Sequence, residues 1–254
     1  MILMDLDGTL LRNDKTVSSY SLSVLERCKA SGILIGIATA RGMLNTSQYI
    51  SQIQPDIAIM NDGALAMHGN AELFSLRFSQ QQTKQIIYMA QELTDHQCEI
   101  TVDTQSGYYW NYKTDQQKAD NNWRVGIYTD YSDFNEEALK ICVELPNYAL
   151  AQQIAEAVDD CDCVRFSDGN WYKFGSHAAT KENAAKTVST VLGIDLNDII
   201  AFGDDFPDIG MLRICGKGIA MKNAIPEVKS IADEVTESNE NDGVAIYLER
   251  FLDI

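Results

Sequence analysis

Two aspartates near the amino terminus, Asp5 and Asp7, are the first residues whose spacing indicates chemistry. They follow a short apolar run, residues 1–4, that suits a strand and is too brief for a helix. Side chains two residues apart on an extended chain lie on the same side, so the two carboxylates share one face. Because two like charges that close are unfavourable without a cation between them, the spacing predicts a divalent cation, a nucleophile with a proton partner, or both.

Two further polar residues lie where a strand is predicted to end or a helix to begin. Thr39 ends a buried apolar run and opens a helix, so its hydroxyl and the free N–H groups of that helix start can hold an oxyanion. Lys181 lies at the start of another helix, where a cation opposes the helix dipole and therefore indicates an anion nearby. A lysine directed to solvent is an equally good interpretation of Lys181 taken alone.

An acidic segment, residues 203–208, follows a third predicted strand. It carries Asp204 and Asp208, and its Pro207 suits the first turn of a helix. Any one of these carboxylates is more typical of a helix cap or a solvated surface. The combination with the earlier clusters favours a shared site, because an aspartate pair, a hydroxyl, a lysine and a second acidic pair all fall at strand ends or helix starts.

The donor types favour one kind of chemistry. Carboxylates without a neighbouring histidine or thiolate favour Mg²⁺, which prefers oxygen ligands. An aspartate can attack phosphorus and form an aspartyl-phosphate, and a second aspartate can protonate the leaving oxygen and then activate water. Lys181 and Mg²⁺ would neutralise charge on the transferred group. The sequence thus predicts magnesium-dependent phosphoryl transfer.

The elements that position these residues alternate between strand and helix. A strand at 33–38, a helix at 43–53 and a strand at 56–60 follow the first strand, which is typical of an open parallel sheet with ligands at the carboxyl ends of its strands. From residue 78 the order becomes α+β, and it predicts a separate, antiparallel sheet. The alternating pattern resumes near Thr180. We therefore predict a core domain formed by 1–77 and 174–254, interrupted by an inserted domain at 78–173.

Composition limits the partners. The 254 residues carry a net charge of −17 and are 45% hydrophobic. The acidic balance and the absence of a Lys/Arg cluster argue against nucleic acid and anionic membranes as partners. No uncharged apolar run approaches the roughly 20 residues of a membrane span, and the amino terminus does not read as a secretion signal. Six cysteines without a zinc-ligand pattern suit reduced thiols, so we expect a cytoplasmic protein acting on a small molecule.

Taken together, these motifs resemble the haloacid dehalogenase superfamily phosphatases of the Cof-type subfamily IIB. The resemblance implies an α/β fold: a parallel-sheet, Rossmann-like core with an inserted α+β cap domain of the C2 type. It covers both core segments, whereas the cap resembles the family in element order only. The matching residues are Asp5-x-Asp7-Gly8-Thr9-Leu10, Thr39, Lys181, Gly203-Asp204-x-x-x-Asp208, Met211-Leu212, and the tail segments 218–224, 232–233 and 241–245.

The resemblance also implies roles and a cofactor, Mg²⁺, and a small phosphorylated metabolite, such as a sugar phosphate, as substrate. By likeness, Asp5 is the nucleophile and Asp7 the general acid/base, with its backbone carbonyl also binding the metal. Asp204 and Asp208 complete the metal ligands. The residues implied in holding and orienting the phosphoryl group and substrate are Thr39, the Ala40 amide, Arg41 and Lys181.

Three features depart from the family pattern. Pro207 stands where an Asn that reaches the substrate is usual, Asp62 stands where Asn is common, and the first strand is short. Two alternatives stay open: a phosphomutase of the same superfamily and a non-catalytic phosphoester sensor. A phospho-receiver module is disfavoured, because its phosphorylated Asp would follow the third strand and Asp56 precedes it. The inserted domain is interpreted as a lid that excludes water and selects the leaving group.

Overall fold

The computed structural model describes residues 1–112, 126–166 and 169–252. It divides into two compact units. The core unit contains Met1–Arg41, Thr46–Phe74 and the chain from Thr180 onward. The inserted unit contains Gly42–Asn45 and Ser75–Ala179.

The described strands and helices are as follows in chain order. The strands are β1 (Ile2–Met4), β2 (Ile35–Ala38), β3 (Ile57–Met60), β4 (Leu65–His68), β5 (Ala71–Ser75), β6 (Ile100–Thr104), β7 (Tyr108–Trp110), β8 (Ile127–Tyr128), β9 (Ala138–Glu144), β10 (Cys161–Arg165), β11 (Trp171–Ser176), β12 (Ile200–Gly203), β13 (Lys217–Ala220) and β14 (Glu234–Val235). The helices are α1 (Ser19–Ala30), α2 (Met43–Ile53), α3 (Gln80–Leu93), α4 (Tyr148–Glu156), α5 (Lys181–Leu192), α6 (Ile209–Ile214), α7 (Pro226–Ile231) and α8 (Gly243–Leu252).

The sheet of the core unit has eight strands in the order β14-β13-β12-β1-β2-β3-β4-β5. The first strand lies near its centre, because β1 pairs in parallel with both β2 and β12, with Ile2 opposite Ile35 and Ile200. Strands β14 to β3 run parallel to one another, and β4 runs antiparallel to β3. The predicted α/β fold with a parallel central sheet is therefore confirmed.

The hairpin of β4 and β5, which adds two strands to one edge of this sheet, was not predicted. Gly69 lies in the turn between them with a φ of 55°. The Gly-Asn pair at 69–70 is a signal for a two-residue hairpin turn, since glycine adopts a positive φ without strain. The signal was present in the sequence, although no strands were predicted there.

Helix boundaries in the core unit follow from local capping. Ser18 caps α1 by accepting a hydrogen bond from the N–H of Ser21. Helix α2 spans Met43–Ile53, the predicted range. Thr180 caps α5 by accepting from the N–H of Asn183, and this cap places Lys181 at the first helical position.

The inserted unit contains a six-stranded sheet in the order β10-β11-β9-β6-β7-β8. All of its pairs are antiparallel except β7 with β8, which is parallel, so the predicted purely antiparallel sheet needs that correction. Helices α3 and α4 share a buried apolar core with this sheet, formed by residues such as Ile86, Ile154 and Phe174. The α+β order predicted for this region agrees with the structure.

The aromatic residues of β7 and its neighbours contact one another. Trp110 and Tyr112 meet edge to face with ring centroids 5.5 Å apart, and Tyr112 meets Tyr128 at 5.3 Å. The rings of this strand and its neighbours therefore pack against one another. The aromatic pattern of the sequence predicts a strand over residues 108–113. Strand β7 ends at Trp110, and residue 113 itself lies outside the described residues.

The predictions of reduced cysteines and of no membrane-spanning segment can be compared with the structure. All six cysteines are free thiols, five of them buried, and burial raises the pKa of Cys142 to about 11. Across the described chain, no helix combines the length and the apolar character that crossing a bilayer would require.

Candidate active site

The ends of three neighbouring strands bring the predicted residues to one edge of the core sheet. Asp5 follows β1 directly, and its N–H donates to the carbonyl of Phe202 in β12 at 3.1 Å. Asp204 follows β12 in the same way, and Thr39 follows β2 on the other side of β1. Because parallel strands end at the same edge, residues 34 to 199 positions apart in sequence become neighbours there.

Lys181 lies between two of the predicted carboxylates. Its ammonium donates to Asp5 Oδ1 and to Asp208 Oδ1, each at 2.6 Å, and its side chain is only 3% exposed. Burial alone would lower the pKa of Lys181, but the charges of Asp208 and Asp5 outweigh it and raise the pKa above its ordinary value. The anion inferred from the position of Lys181 at a helix start is thus a pair of carboxylates.

Asp208 builds the turn that carries Asp204. Its Oδ2 accepts hydrogen bonds from the N–H of Asp204 at 2.9 Å and of Asp205 at 3.1 Å, while its Oδ1 accepts one from the Lys181 ammonium. Pro207 lies in the short 3₁₀ helix Phe206–Asp208, where its fixed φ is compatible with the turn. The departure from the family pattern at Pro207 therefore leaves the carboxylate of Asp208 in place.

Three carboxylates converge beside this lysine. One oxygen each from Asp5, Asp204 and Asp208 lies within 4.8 Å of the others, and this is the one such group of possible metal ligands among the described residues. Burial raises the pKa of Asp5 well above its usual range; Lys181 opposes this, and the charges of Asp208 and Asp204 add to it. Burial and the charge of Asp208 likewise raise the pKa of Asp204 to about 7.

The donor set fits a hard divalent cation. All three groups offer oxygen, and a cation among them would oppose the burial and the repulsion that raise the pKa of Asp5 and of Asp204. Mg²⁺ prefers such oxygen ligands and keeps several waters when a protein supplies few carboxylates. The acidic cluster can therefore hold a divalent metal, as the sequence analysis expected.

Gly8 and Thr9 bring the loop after β1 against this cluster. Gly8 has a φ of +80°, and a Cβ on it would lie 2.2 Å from Asp204 Oδ2, so only glycine fits there. The hydroxyl of Thr9 donates to Asp204 Oδ1 at 2.8 Å. Thr9 belongs to the first motif, but the sequence analysis gave it no role of its own.

Asp7 lies outside the carboxylate cluster and is held by two cations. Arg41 donates to it through Nε at 2.6 Å and through its terminal nitrogen at 2.9 Å, and Lys15 donates at 2.8 Å. Burial would raise the pKa of Asp7, but hydrogen bonds and charge from Arg41 and Lys15 outweigh it and lower the pKa. Lys15 was not predicted as a site residue, and its partner lies eight residues earlier across a turn.

The remaining predicted residues follow β2. The Thr39 side chain is buried, and its hydroxyl oxygen accepts a hydrogen bond from the N–H of Arg41 at 3.1 Å. Ala40 between them is half-buried. Arg41 itself is buried and engaged with Asp7, so its expected contact with substrate, like the phosphoryl contacts of Thr39 and Ala40, stays a prediction.

The fold and the site define a class of protein: an enzyme with a parallel α/β core, an inserted α+β unit and a carboxylate–lysine cluster at the strand ends. The chain belongs to the haloacid dehalogenase-like hydrolases, whose family model matches residues 2–248. This confirms the family inferred from the motifs.

Individual relatives agree with that assignment. The Bacillus subtilis protein named 5-amino-6-(5-phospho-D-ribitylamino)uracil phosphatase YitU is 27% identical over 270 residues, which cover 100% of this chain and 98% of that protein. A haloacid dehalogenase-like hydrolase from Bacteroides thetaiotaomicron shares the fold with a TM-score of 0.86 at 20% identity, over 98% of each chain. The HAD subclass IIB sugar phosphatase BT4131 shares it with a TM-score of 0.81 at 21% identity, over 100% of this chain and 99% of that one. Together with the family match, the phosphatase name of the B. subtilis relative confirms the predicted enzyme class, a phosphoric monoester hydrolase.

Proposed function

We propose that this protein is a Mg²⁺-dependent phosphatase that hydrolyses a small phosphorylated metabolite through an aspartyl-phosphate on Asp5. The observation that carries the proposal is the ammonium of Lys181, which contacts both Asp5 and Asp208 at 2.6 Å. Three segments distant in sequence thereby meet at one point, beside Asp204. A buried cation among carboxylates suits a site that must accept a phosphate dianion and release it again.

In the first half of the reaction, a carboxylate oxygen of Asp5 attacks phosphorus. The new bond joins Asp5 to the phosphoryl group, and the ester P–O bond breaks. Asp7 gives its proton to the departing alkoxide, which leaves as an alcohol. Lys181 stays beside Asp5 and interacts with the charge on the transferring oxygens.

In the second half, Asp7 accepts a proton from water, whose oxygen attacks the phosphorus of the aspartyl-phosphate. The bond to Asp5 breaks, and inorganic phosphate leaves. Arg41 and Lys15 stabilise the carboxylate form of Asp7, which suits its role as a base. To act as an acid in the first half, Asp7 must hydrogen-bond to the leaving group of the substrate. At least one of the two cations must therefore move away from its carboxylate when the substrate binds.

Asp5, Asp204 and Asp208 are the side chains that would hold Mg²⁺, together with the backbone carbonyl of Asp7 as the resemblance implies. When bound, the metal supplies positive charge against the transferred phosphoryl group. Thr9 donates to Asp204 and so orients one of the metal-binding carboxylates.

The proposed substrate is a phosphate ester of a sugar or sugar alcohol. Two relatives support this choice, because one is named for a 5-phospho-D-ribitylamino compound and the other is named a sugar phosphatase. The test is a panel of hexose phosphates, pentose phosphates, ribityl phosphates and nucleotides, assayed with Mg²⁺ and with chelator. Released inorganic phosphate supports hydrolysis. Isomerised sugar phosphate without phosphate release would identify a mutase instead, and binding without turnover would identify a sensor.

We expect Mg²⁺ to stabilise the protein more at alkaline than at acidic pH. The pKa of Asp204 is about 7 in the folded chain, against 3.8 for an ordinary Asp. Without metal, the folded state therefore binds more protons than the unfolded state between these values, so its stability falls as pH rises from about 4 to about 7. Bound Mg²⁺ favours the ionised carboxylates and cancels this loss.

The measurement is the thermal midpoint in saturating Mg²⁺ and in chelator from pH 5 to pH 8. The difference between the two midpoints should grow with pH, and Asp204→Asn should flatten the chelator curve. A difference that is constant over this range, or that shrinks, would contradict the assignment of the metal site to Asp204.

A further inference from the structure

We propose that Asn223 and Asn239 are positioning residues that hold the loop Gly8–Asn13 against the metal-binding carboxylates. The inference rests on the proposed function and extends it to two residues outside the motifs that carry the chemistry. Both lie in the carboxyl-terminal part of the chain, more than 200 residues from the loop that they hold.

Asn239 makes the inner contact. Its side chain is buried, and its amide nitrogen donates to the carbonyl of Leu11 at 2.9 Å and to Asn13 Oδ1 at 3.1 Å. Its own backbone N–H donates to Asn223 Oδ1 at 3.0 Å. The amide of Asn239 thus fixes the far end of the loop and orients the second asparagine.

Asn223 makes the outer contact. Its amide nitrogen donates to the carbonyl of Gly8 at 2.7 Å, while its amide oxygen receives the N–H of Asn239. The side-chain amide therefore has a fixed orientation, with the nitrogen toward the loop. Asn223 is exposed, so this bond contributes little to the stability of the fold.

The loop needs such restraint because its start lies against Asp204. Thr9 donates to the Asp204 carboxylate at 2.8 Å, and the absent Cβ of Gly8 would meet the same carboxylate at 2.2 Å. The peptide after Asp7 is part of the same turn. A loop displaced by about 1 Å would move Asp7 and release Thr9 from Asp204, and displacements of that size reduce rates by about 10²-fold.

The segment that carries Asn223 is also tied to Asp204 from the other side. The N–H of Ile225 donates to the carbonyl of Asp204 at 3.0 Å. One short segment, residues 223–225, therefore contacts both the loop after the nucleophile and the residue that follows β12. This geometry allows Asn223 to set the distance between the loop and the carboxylate cluster.

The test uses two substitutions at Asn223. Asn223→Asp keeps the acceptor for Asn239 but places an oxygen against the carbonyl of Gly8, and Asn223→Ala removes both bonds without adding charge. We expect both variants to lower kcat by about 10-fold or more and to raise the Mg²⁺ concentration for half-maximal activation by a similar factor. KM for p-nitrophenyl phosphate should stay within about twofold of wild type, because outer-shell partners act on the rate and the metal.

Asn241→Asp and Asn241→Ala are matched controls. Asn241 is exposed and lies two residues from Asn239. The same substitutions there should leave kcat, KM and the Mg²⁺ requirement at wild-type values. Asn239→Ala extends the test to the inner contact and should reproduce the effect of Asn223→Ala together with a lower thermal midpoint.

A second readout needs no turnover: the rise in thermal midpoint on Mg²⁺ titration should require more metal in both Asn223 variants than in wild type. If wild type lacks phosphatase activity, the proposed function fails while this metal readout still tests the positioning role. Wild-type kcat and metal requirement in both Asn223 variants would overturn the inference. A lower thermal midpoint with unchanged kcat and metal requirement would also overturn it, because the role would then be structural only.

Discussion

Replacing Asp5 by asparagine is expected to abolish phosphate release while leaving the protein folded. The amide cannot attack phosphorus, so the aspartyl-phosphate cannot form, and loss of a nucleophile reduces turnover on the order of 10⁵-fold or more. The amide has nearly the shape of the carboxylate that it replaces. Inorganic phosphate released per folded molecule is the measurement, with p-nitrophenyl phosphate and with the preferred metabolite.

The same substitution should not destabilise the metal-free protein. Burial raises the pKa of Asp5, and the nearby Asp208 and Asp204 add to that effect, so a neutral group there removes an unfavourable charge. Lys181 keeps its contact with Asp208. The thermal midpoint in chelator should therefore equal or exceed that of wild type, as is common when a strained active site is relieved.

A matched control and a trapping experiment sharpen this prediction. Asp159→Asn makes the same chemical change at an exposed position and should retain full activity.

With p-nitrophenyl phosphate, whose leaving group needs no acid, Asp7→Asn should slow the second half of the reaction and let phosphorylated protein accumulate. The covalent phosphate should be labile to hydroxylamine. Wild-type turnover in Asp5→Asn would exclude the aspartyl-phosphate mechanism.

The positions of the site residues could be predicted because strand ends in a parallel sheet meet at one edge. Asp5, Thr39 and Asp204 each follow a buried strand, and the order β12-β1-β2 makes these strands neighbours. The position of Lys181 was also informative, since a cation at a helix start indicates an anion. The hydrogen-bond partners within the site could not be predicted: Lys181 bridges Asp5 and Asp208, whereas Asp204 accepts a hydrogen bond from Thr9.

Contacts made across turns and between distant loops were not predictable in the same way. The pairing of Lys15 with Asp7 depends on the path of the turn between them, which no periodicity encodes. The same holds for Asn239, whose bonds to Leu11 and Asn13 join segments more than 200 residues apart. Strand and helix patterns report burial along one element, so they carry no information about which polar side chains meet between loops.

Replacing Lys181 by methionine is expected to remove activity and to destabilise the fold at neutral pH. Methionine has nearly the length of lysine, so the change removes the charge and leaves Asp5 and Asp208 buried without their cation. Breaking a buried ion pair from one side reduces stability by about 3–5 kcal/mol. Activity should fall with it, because the ammonium no longer interacts with the transferred phosphoryl group.

The pH dependence distinguishes this effect from simple loss of packing. Without the cation, the pKa of Asp5 rises further, so the folded variant binds a proton that the unfolded chain has released. Its stability should therefore recover as pH falls from 8 toward 5, and saturating Mg²⁺ should restore part of it at pH 8. Thermal midpoints across this range, in chelator and in Mg²⁺, give the measurement.

Lys186→Met is the matched control on the same helix. Lys186 is exposed and pairs with Glu182 one turn earlier, a contact of the kind that contributes about 0.2–0.5 kcal/mol. This variant should keep wild-type activity and show no recovery at low pH. If Lys181→Met matched Lys186→Met in thermal midpoint and in turnover, Lys181 would contribute no more than an exposed lysine. Its contacts with the carboxylates would then have no role in catalysis. The burial of Lys181 between two carboxylates argues for the opposite outcome, since its removal leaves both Asp5 and Asp208 buried without their cation.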